Sequence, residues 1–317
     1  MSGIMLGKVI KSGSNLFIVD TEFGIISCSA HRNVFDDFID ERKEKPQKME
    51  DFRKGARKNR IRDIKLAENV QRKSIIAGDI CKLIKEKGDE SWTISKILPR
   101  INTLIRPKVA NIDQIIVVLA PKPEPDLLLI DKLIINAKHQ GIAVVLCVNK
   151  SDLESDLYTE ICLQYNSIAD KIISVSAKFG DITSLKNILI GKLSAFAGQS
   201  AVGKSSLVNA LTKTEIQKTD TLSNKIDRGK NTTTRAEIIK LSSKTYIIDT
   251  PGFSALDIHG IDYSELDLYY PEYVAIASDC KYPRCTHTVE PNCKVKERVM
   301  SGMLSKKRYD RYCILRK

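Results

Sequence analysis

A glycine-rich stretch in the second half of the chain has the residue types and spacing that bind phosphate groups. It reads G-x-x-x-x-G-K-S-S, follows the apolar run LSAFA and opens the helix-like run SSLVNAL. In this context the glycines let backbone N–H groups point at phosphate oxygens, while Lys204 reaches the terminal phosphates and the Ser205 hydroxyl binds Mg²⁺. The predicted phosphate-binding residues are Gly198, Gln199, Ser200, Ala201, Val202, Gly203, Lys204, Ser205 and Ser206.

Two further motifs could complete a magnesium nucleotide site. The sequence D-T-P-G at residues 249–252 follows the strand-like run TYII, which places its carboxylate beside Mg²⁺ and its glycine N–H near a γ-phosphate. Between this motif and the phosphate loop lies a threonine triplet, where a hydroxyl can complete the Mg²⁺ shell when γ-phosphate is present. The predicted catalytic residues are Lys204, Ser205, Thr233, Asp249 and Gly252. The predicted magnesium ligands are Ser205, Thr233 and Asp249.

A second pair of motifs indicates recognition of guanine. The sequence N-K-S-D follows the apolar run AVVLCV, and the Asp152 carboxylate can accept hydrogen bonds from guanine N1–H and the exocyclic amine. Adenine lacks this donor pair, so the motif favours GTP and argues against an ATPase. The sequence S-A-K follows the next predicted strand, where a backbone N–H can meet guanine O6. The residues predicted at the base are Asn149, Lys150, Ser151, Asp152, Ser176, Ala177 and Lys178.

The order of these motifs along the chain is unusual. The base-recognition motifs begin at Asn149 and Ser176 and precede the phosphate loop at Gly198, whereas ordinary GTPases have them after it. The sequence therefore predicts a circularly permuted GTPase domain. In this order the segment from Phe253 onward leads from the phosphate-sensing loops directly into the C-terminal region, to which the nucleotide state could be transmitted.

Three cysteines and one histidine near the C-terminus form a possible metal site. They have the spacing C-x4-C-x-H-x5-C, which supplies a complete tetrahedral shell for Zn²⁺. Since the protein would fill all four positions, no place remains for a water nucleophile, and the site is interpreted as structural. The alternative is a chance grouping or a disulfide with bystanders. The predicted zinc ligands are Cys280, Cys285, His287 and Cys293.

The elements that must position these residues follow from hydrophobic patterning. The runs IDQIIVVLAPK and GIAVVLCVNK are nearly continuously apolar, as in strands buried on both faces, and predict a doubly wound parallel sheet with helices on both faces. Further strands are predicted at 172–176, 192–197 and 245–249. Helices are predicted at 127–140, at 206–211 and in the tail 294–317.

The N-terminal part has about five short β-rich runs broken by glycines, which fits a five-stranded oligonucleotide-binding (OB) barrel. Another small β-sandwich is the alternative. We therefore predict a multi-domain α/β protein with three parts. They are an OB-fold barrel at 1–103 with a basic insertion at 41–74, a permuted P-loop GTPase domain at 104–262, and a small, mostly helical zinc domain at 263–317 with a basic C-terminal helix.

The net charge of +12 is concentrated in two segments. The insertion 41–74 holds 13 Lys or Arg and 6 Asp or Glu residues, and the tail 294–317 holds 9 and 2. The insertion is either a solvated loop or a helix that orders on an anionic surface. Two basic arms around a nearly neutral GTPase core are the distribution expected of a clamp on RNA.

The sequence also indicates the compartment. No apolar run approaches the ~18 residues of a membrane span, and the N-terminus lacks the apolar core of a secretory signal. A chain of this length does not need disulfides, so its cysteines suit a reducing environment. We expect a cytoplasmic monomer without a membrane partner.

Taken in order, NKSD, SAK, GQSAVGKSS, TTT, DTPGF and the Cys/His motif, with a β-barrel in front, closely resemble the RsgA/YjeQ family of circularly permuted GTPases. The resemblance extends to GKVIKS at the start and to ILPRINTLIRP before the GTPase domain. It implies an enzyme that hydrolyses GTP to GDP and phosphate with Mg²⁺ and contains one structural Zn²⁺. It also implies binding to the small (30S) ribosomal subunit and its rRNA during late assembly, with subunit-stimulated hydrolysis coupled to release.

The chain departs from the family pattern at two positions. Asn231 precedes the threonine triplet where the family often has histidine, and Phe253 follows Gly252 where many GTPases have a water-orienting glutamine. Asparagine can position a water but cannot take its proton near neutral pH, and the apolar ring of Phe253 cannot orient the attacking water. We therefore expect slow intrinsic hydrolysis that rises when a partner orders the switch. The alternative function is a GTP-dependent RNA-binding module with incidental hydrolysis. The insertion 41–74 is also longer than the barrel loop of the family.

Overall fold

The computed structural model describes residues 3–13, 15–31, 34, 74–85, 88, 91–104, 107–153, 155–218, 237–249 and 260–316. Residues 41–73 of the predicted insertion, Thr233 and Gly252 lie outside these ranges, and so does the side chain of Asp249. The chain divides into two compact units, Met1–Ile101 and Asn102–Lys317. The sheet and the Cys/His motif belong to the same unit, so the predicted boundary near residue 262 stays a prediction.

The first unit is a closed barrel with the strand order β1-β2-β3-β5-β4. Its antiparallel ladders are interrupted by one parallel pair, β3 with β5. This topology and the five short strands confirm the predicted OB-fold barrel. The barrel interior is filled by alternate side chains such as Val9, Val19 and Leu83, none of which is exposed. The strands are β1 (Gly3–Ser12), β2 (Phe17–Thr21), β3 (Gly24–Ala30), β4 (Ile80–Lys85) and β5 (Thr93–Ile97).

The second unit is built on a six-stranded sheet with the order β10-β9-β8-β11-β13-β12. Its strands are β8 (Gln114–Leu119), β9 (Ala143–Val148), β10 (Lys171–Ser174), β11 (Leu193–Ala197), β12 (Ile238–Ser242) and β13 (Thr245–Asp249). A short ladder of β6 (Thr103–Leu104) and β7 (Val109–Ala110) precedes it. The five predicted strands of the parallel sheet are all present, and the sheet has in addition an antiparallel edge strand, β12, that was not predicted. Its alternating burial left no continuous apolar run to reveal it.

Helices connect the parallel strands. They are α1 (Leu127–His139), α2 (Leu157–Tyr165), α3 (Thr183–Leu189) and α4 (Lys204–Lys218). The predicted first helix ends within one residue of the observed bounds, and α4 extends beyond its predicted range. The sequence analysis missed α2 and α3. One core between sheet and helices includes Val118, Phe196, Leu207 and Ile247 and keeps the sheet rigid behind the loops that follow its strands.

The C-terminal region consists of short helices around a Tyr-rich core. It contains 3₁₀ turns at Tyr263–Tyr269 and Ala277–Asp279 and the helices α5 (Pro271–Val274), α6 (Lys294–Met300) and α7 (Lys306–Leu315). The tail is thus two helices rather than one, separated by a turn in which Gly302 has a φ of 76°. The rings of Tyr270, Tyr273 and Tyr312 lie 4.9–5.2 Å apart between centroids. They pack against Ile135 of α1.

Within the described ranges, the longest apolar helical stretches fall short of what a bilayer crossing requires.

Candidate functional site

Three of the predicted nucleotide motifs meet at one edge of the sheet. The phosphate loop (residues 198–206) begins where β11 ends, and β11 lies between β8 and β13 in the middle of the sheet. The N-K-S-D and S-A-K motifs follow β9 and β10, which are parallel to β8. Because the carboxyl ends of parallel strands share an edge, all of these loops face one crevice.

Two glycines allow the phosphate loop to lie against its neighbours. Gly198 has a φ of +130°, and a Cβ there would stand 2.2 Å from the carbonyl oxygen of Val118 in β8. Gly203 has a φ of +96°, and its Cβ would stand 2.3 Å from Nδ2 of Asn149. Both contacts are too close for any side chain, so the two glycines of the motif are required by packing as well as by phosphate chemistry.

Asn149 joins three parts of the site. Its side chain is buried, donates from Nδ2 to the carbonyl of Val202 at 2.9 Å, and accepts at Oδ1 from the N–H of Ala177 at 3.2 Å. These bonds link the N-K-S-D loop to the phosphate loop and to the S-A-K loop. The Ala177 N–H, one of the backbone donors of the S-A-K motif, is therefore engaged by Asn149.

Lys150 and Asp152 form the polar part of the predicted base-binding side. Lys150 Nζ donates to the carbonyl of Ala201 at 3.0 Å and to that of Lys122 at 2.6 Å, so its stem spans the space between two loops. The Ser176 hydroxyl donates to Asp152 Oδ1 at 2.6 Å. This bond, aided by the nearby charges of Lys178 and Lys150, holds the pKa of Asp152 below its usual value. The Asp152 carboxylate is therefore ionised and oriented.

The sequence analysis missed one segment of the site, the proline-rich stretch 121–126 after β8. The Gln199 side chain accepts a hydrogen bond from the Asp126 N–H at 3.0 Å, and the Asp126 side chain caps α1. The Lys122 carbonyl holds Lys150 from the same stretch. The position of P-K-P-E-P-D directly after a buried strand was a signal that could have revealed it.

Lys204 and Ser205 stand where α4 begins. The Lys204 ammonium donates to the carbonyls of Gly198 and Gln199, both at 2.7 Å, and so bridges the phosphate loop. Ser205 is exposed in the first turn of α4, whose amino end carries the positive end of the helix dipole. Asp249 ends β13 in register with Phe196 of β11, which places its backbone beside the strand that enters the phosphate loop.

The four predicted metal ligands come together in a second site. Their ligand atoms all lie within 4.8 Å of one another. The Sγ atoms of Cys280 and Cys293 are 3.9 Å apart, and His287 Nδ1 lies 3.7 Å and 3.3 Å from them. Zinc bonds of ~2.0–2.3 Å in a tetrahedron place ligand atoms about 3.5–3.8 Å apart. With Cys285 as the fourth ligand, the donor set and its spacing fit Zn²⁺.

Burial favours the uncharged forms of these cysteine and histidine side chains. It raises the pKa of Cys285 to about 12, raises that of Cys293 and lowers that of His287. Uncharged thiols and imidazole interact with each other only through weak hydrogen bonds, whereas a divalent cation would favour thiolates and bind them. The backbone at His287 has a φ of 62°, and its carbonyl accepts from the Tyr309 hydroxyl at 2.7 Å.

The basic tail is largely committed to contacts within the protein. Arg311 is buried, pairs with Asp131 of α1, and donates to Gln164 Oε1 and the Tyr165 hydroxyl of α2, both at 3.0 Å. Arg308 pairs with Glu272 at 2.6 Å. The remaining tail ion pairs are Lys294 with Glu297, Lys306 with Asp310, Lys307 with Glu160 and Arg316 with Asp267. The two buried arginines tie α7 to the GTPase helices and do not form a free basic arm.

The fold and the motif order define a class of protein, the circularly permuted P-loop GTPases. The family model for the RsgA GTPase matches residues 97–259. The chain belongs to the RsgA GTPase family, which confirms the resemblance noted in the sequence, and it is a GTP-hydrolysing enzyme that uses guanine nucleotide and Mg²⁺.

Relatives and solved structures agree with this assignment. The chain is 41% identical over 246 residues to the small ribosomal subunit biogenesis GTPase RsgA of Ruminiclostridium cellulolyticum, covering 77% of this chain and 78% of that protein. It is 36% identical over 312 residues to the protein of that name from Caldanaerobacter subterraneus, covering 98% and 94%.

Two solved structures match almost end to end. The crystal structure of YjeQ from Thermotoga maritima has a TM-score of 0.72 and 31% identity, covering 99% of this chain and 98% of that one. The crystal structure of YloQ, described as a circularly permuted GTPase, has a TM-score of 0.69 and 28% identity, covering 99% and 94%. The predicted circular permutation is confirmed.

Proposed function

We propose that this protein is a ribosome biogenesis GTPase that binds the small (30S) ribosomal subunit and its rRNA during late assembly. In this proposal the subunit stimulates GTP hydrolysis, and hydrolysis is coupled to release. The observation that carries it is the guanine and phosphate site joined by Asn149, in a chain that matches relatives named small ribosomal subunit biogenesis GTPase over 98% of its length.

The roles we assign rest on the sequence motifs and, for the residues that the structure describes, on the geometry of the site. Backbone N–H groups of the phosphate loop and the Lys204 ammonium bind the phosphates of GTP, and the ionised Asp152 carboxylate accepts from the guanine edge. Bound Mg²⁺ would neutralise charge on the β- and γ-phosphates, held by Ser205, Thr233 and Asp249. Water attacks the γ-phosphorus, the bond to the β-phosphate oxygen breaks, and GDP and phosphate leave.

We further propose that Cys280, Cys285, His287 and Cys293 hold one structural Zn²⁺. The spacing of their ligand atoms supports this, and so does the buried aromatic core around them. The metal would keep the C-terminal region folded, since its helices are too short to be stable alone.

Stimulation by the subunit is expected because this chain lacks a side chain that could activate water next to its switch motifs. Asn231 and Phe253 occupy the positions where a histidine or glutamine would serve. A partner that orders the switch can supply the missing positioning, since phosphoryl transfer depends mainly on geometry and charge stabilisation. The same two residues are what would favour the second candidate, an RNA-binding module with incidental hydrolysis.

The test is GTP turnover with and without isolated small subunits across a salt series. We expect turnover to rise with subunits and subunit binding to fall steeply with salt, because phosphate contacts release counterions. Turnover of the free protein that already equals the subunit-stimulated rate would contradict stimulation, and a flat salt response would contradict rRNA contact.

A Lys204→Ala variant separates the two candidate functions. If the protein is a hydrolysis-coupled factor, the variant should still bind subunits but fail to leave them when GTP is supplied. Sedimentation of the subunits would show the protein that stays bound. If the variant leaves the subunits as readily as the wild type, hydrolysis is incidental and the second candidate stands.

A further inference from the structure

The loop between the first two cysteines of the metal cluster is built to project into solvent. Residues 281–284, here called the knuckle loop, are all exposed. Cys280 and Cys285 anchor its ends in the cluster. The Cys285 N–H donates to the Tyr282 carbonyl at 3.1 Å, which closes a turn with Pro283 and Arg284 at its centre. The loop therefore presents its side chains in a fixed arrangement at little entropic cost on binding.

The knuckle loop carries positive charge that the fold does not use. Within the described part of the chain, neither Lys281 nor Arg284 has a carboxylate partner, whereas six cations of the tail are paired. The two nearest acidic residues along the chain have other contacts. Asp279 accepts from the Ser278 hydroxyl at 3.3 Å, and Glu290 accepts from the backbone N–H of residues 286 and 288.

An aromatic residue, Tyr282, stands between these two cations in the sequence. Tyr282 keeps 39% of its surface exposed although it borders a metal cluster. The Lys281 ammonium lies 5.9 Å from the centre of the ring. An exposed ring flanked by two cations matches what single-stranded nucleic acid requires, because a base stacks on the ring while the adjoining phosphates meet the cations.

We infer that the knuckle loop is a binding site for a single-stranded stretch of RNA, in which one unpaired base stacks on Tyr282 and the flanking phosphates meet Lys281 and Arg284. The inference rests on the proposed function for the source of the RNA and goes beyond it in naming the site and the RNA form. Duplex RNA keeps its bases stacked on each other and so offers the ring nothing. An acidic peptide would use the cations without needing the ring.

The test uses the full-length, zinc-containing protein and fluorescence anisotropy. The probes are a labelled uridine oligonucleotide of about 12 nucleotides and an RNA duplex of similar length. The variants are Tyr282→Ala, Tyr282→Phe and Arg284→Ala, and the matched control is Lys306→Ala, which removes an equally positive, exposed side chain from the tail. Zinc content and melting temperature of each sample show whether the fold is kept.

We expect Tyr282→Ala to weaken single-strand binding about 5- to 100-fold, while Tyr282→Phe keeps wild-type affinity because its ring still stacks. Duplex binding should not change. Arg284→Ala should lower the slope of log affinity against log salt by about 0.7, the value for one phosphate contact in a single strand. Lys306→Ala should bind like the wild type.

Three results would overturn the inference. The first is unchanged single-strand binding by Tyr282→Ala, and the second is a loss of affinity in Lys306→Ala as large as in Arg284→Ala. The third is that the knuckle-loop variants bind isolated small subunits more weakly but bind RNA as the wild type does. The last result would mean that the loop meets a ribosomal protein. If wild-type protein binds subunits and is stimulated by them while the knuckle variants behave normally, only this inference fails. If the wild type does neither, the proposed function fails with it.

Discussion

At the scale of single residues, the guanine side shows how one hydrogen bond sets the chemistry of a carboxylate. Asp152 follows β9, and Ser176 follows β10, 24 positions later in the chain. The bond between them holds the pKa of Asp152 below its usual value and turns the carboxylate in a fixed direction. The group is therefore an ionised acceptor through the whole neutral pH range.

Replacement of Asp152 by asparagine should change which base is bound. The amide loses one acceptor position and the negative charge, so GTP affinity should fall about 100-fold. Xanthosine triphosphate, which has a carbonyl in place of the exocyclic amine, should bind the variant better than GTP does. Competition against a fluorescent GDP analogue measures both, and GTP binding equal to that of wild type would contradict the role of Asp152.

The pH dependence of wild-type binding provides a second check on this residue. Because the folded pKa of Asp152 lies below its ordinary value of 3.8, the carboxylate loses its charge only in stronger acid. GDP affinity should therefore stay level from neutral pH down to about pH 5 as far as this group is concerned. A fall in affinity between pH 7 and pH 5 that the wild type shows and Asp152→Asn does not would contradict this, because the GDP phosphates, which also titrate in this range, affect both proteins alike.

At the scale of elements, the phosphate loop depends on the strand beside it. Gly198 lies against the backbone of β8, where the carbonyl oxygen of Val118 cannot move without breaking the sheet. Gly191 also has a positive φ, of 72°, but a Cβ there would meet nothing within 4 Å. The two glycines therefore separate the effect of a steric clash from that of backbone strain.

Alanine at these two glycines should give different results. Gly191→Ala should lower the free energy of unfolding by about 1–2 kcal/mol, because alanine disfavours the left-handed backbone conformation but meets no steric clash there. Gly198→Ala adds a clash with main-chain atoms and should cost several kcal/mol more and abolish GDP binding. Urea unfolding and GDP titration measure both effects. Equal losses in the two variants would mean that the loop is not seated on β8 as described.

At the scale of the whole second unit, two buried arginines join the C-terminal helix to the nucleotide-binding domain. Arg311 lies between α1 and α2 and pairs with Asp131, which is 2% exposed. Burial raises the pKa of Asp131, while the charges of Arg311 and Arg308 lower it. The folded state thus holds the Asp131 proton more tightly than the unfolded chain does. The free energy of unfolding therefore falls as the pH rises from the unfolded to the folded pKa of Asp131.

Removal of Arg311 should expose the cost of the buried carboxylate. In Arg311→Met the free energy of unfolding should fall by about 3–5 kcal/mol at neutral pH, because Asp131 is left buried without its partner. The loss should shrink as the pH is lowered, since the variant moves the Asp131 pKa further upward. Urea unfolding at several pH values measures this.

Two further variants make that prediction decisive. Adding Asp131→Asn to Arg311→Met should restore part of the stability, because the uncompensated charge is gone. Lys306→Met, which breaks an exposed pair with Asp310, should cost less than about 1 kcal/mol. A loss in Arg311→Met that does not vary with pH would contradict the buried ion pair.

The family and a set of candidate site residues could be predicted from the sequence, because phosphate, guanine and zinc chemistry each demand particular residue types at short spacings. The buried parallel strands were also predictable from their continuous apolar runs. The edge strand β12 and the helices α2 and α3 were not, since half-exposed elements have weaker patterns. The same limit applies to the tail, whose charges are visible in the sequence but whose partners are not.

Only the tertiary structure decided what those charges do. Arg308 and Arg311 looked like part of an RNA-binding arm, but their partners stand on α1, α2 and α5, up to 180 positions away. The knuckle loop carries fewer charges, and among the described residues its Lys281 and Arg284 have no carboxylate partner. Whether a cation pairs within the protein or is available to a partner depends on which carboxylates long-range packing brings near it. The local sequence does not contain that information.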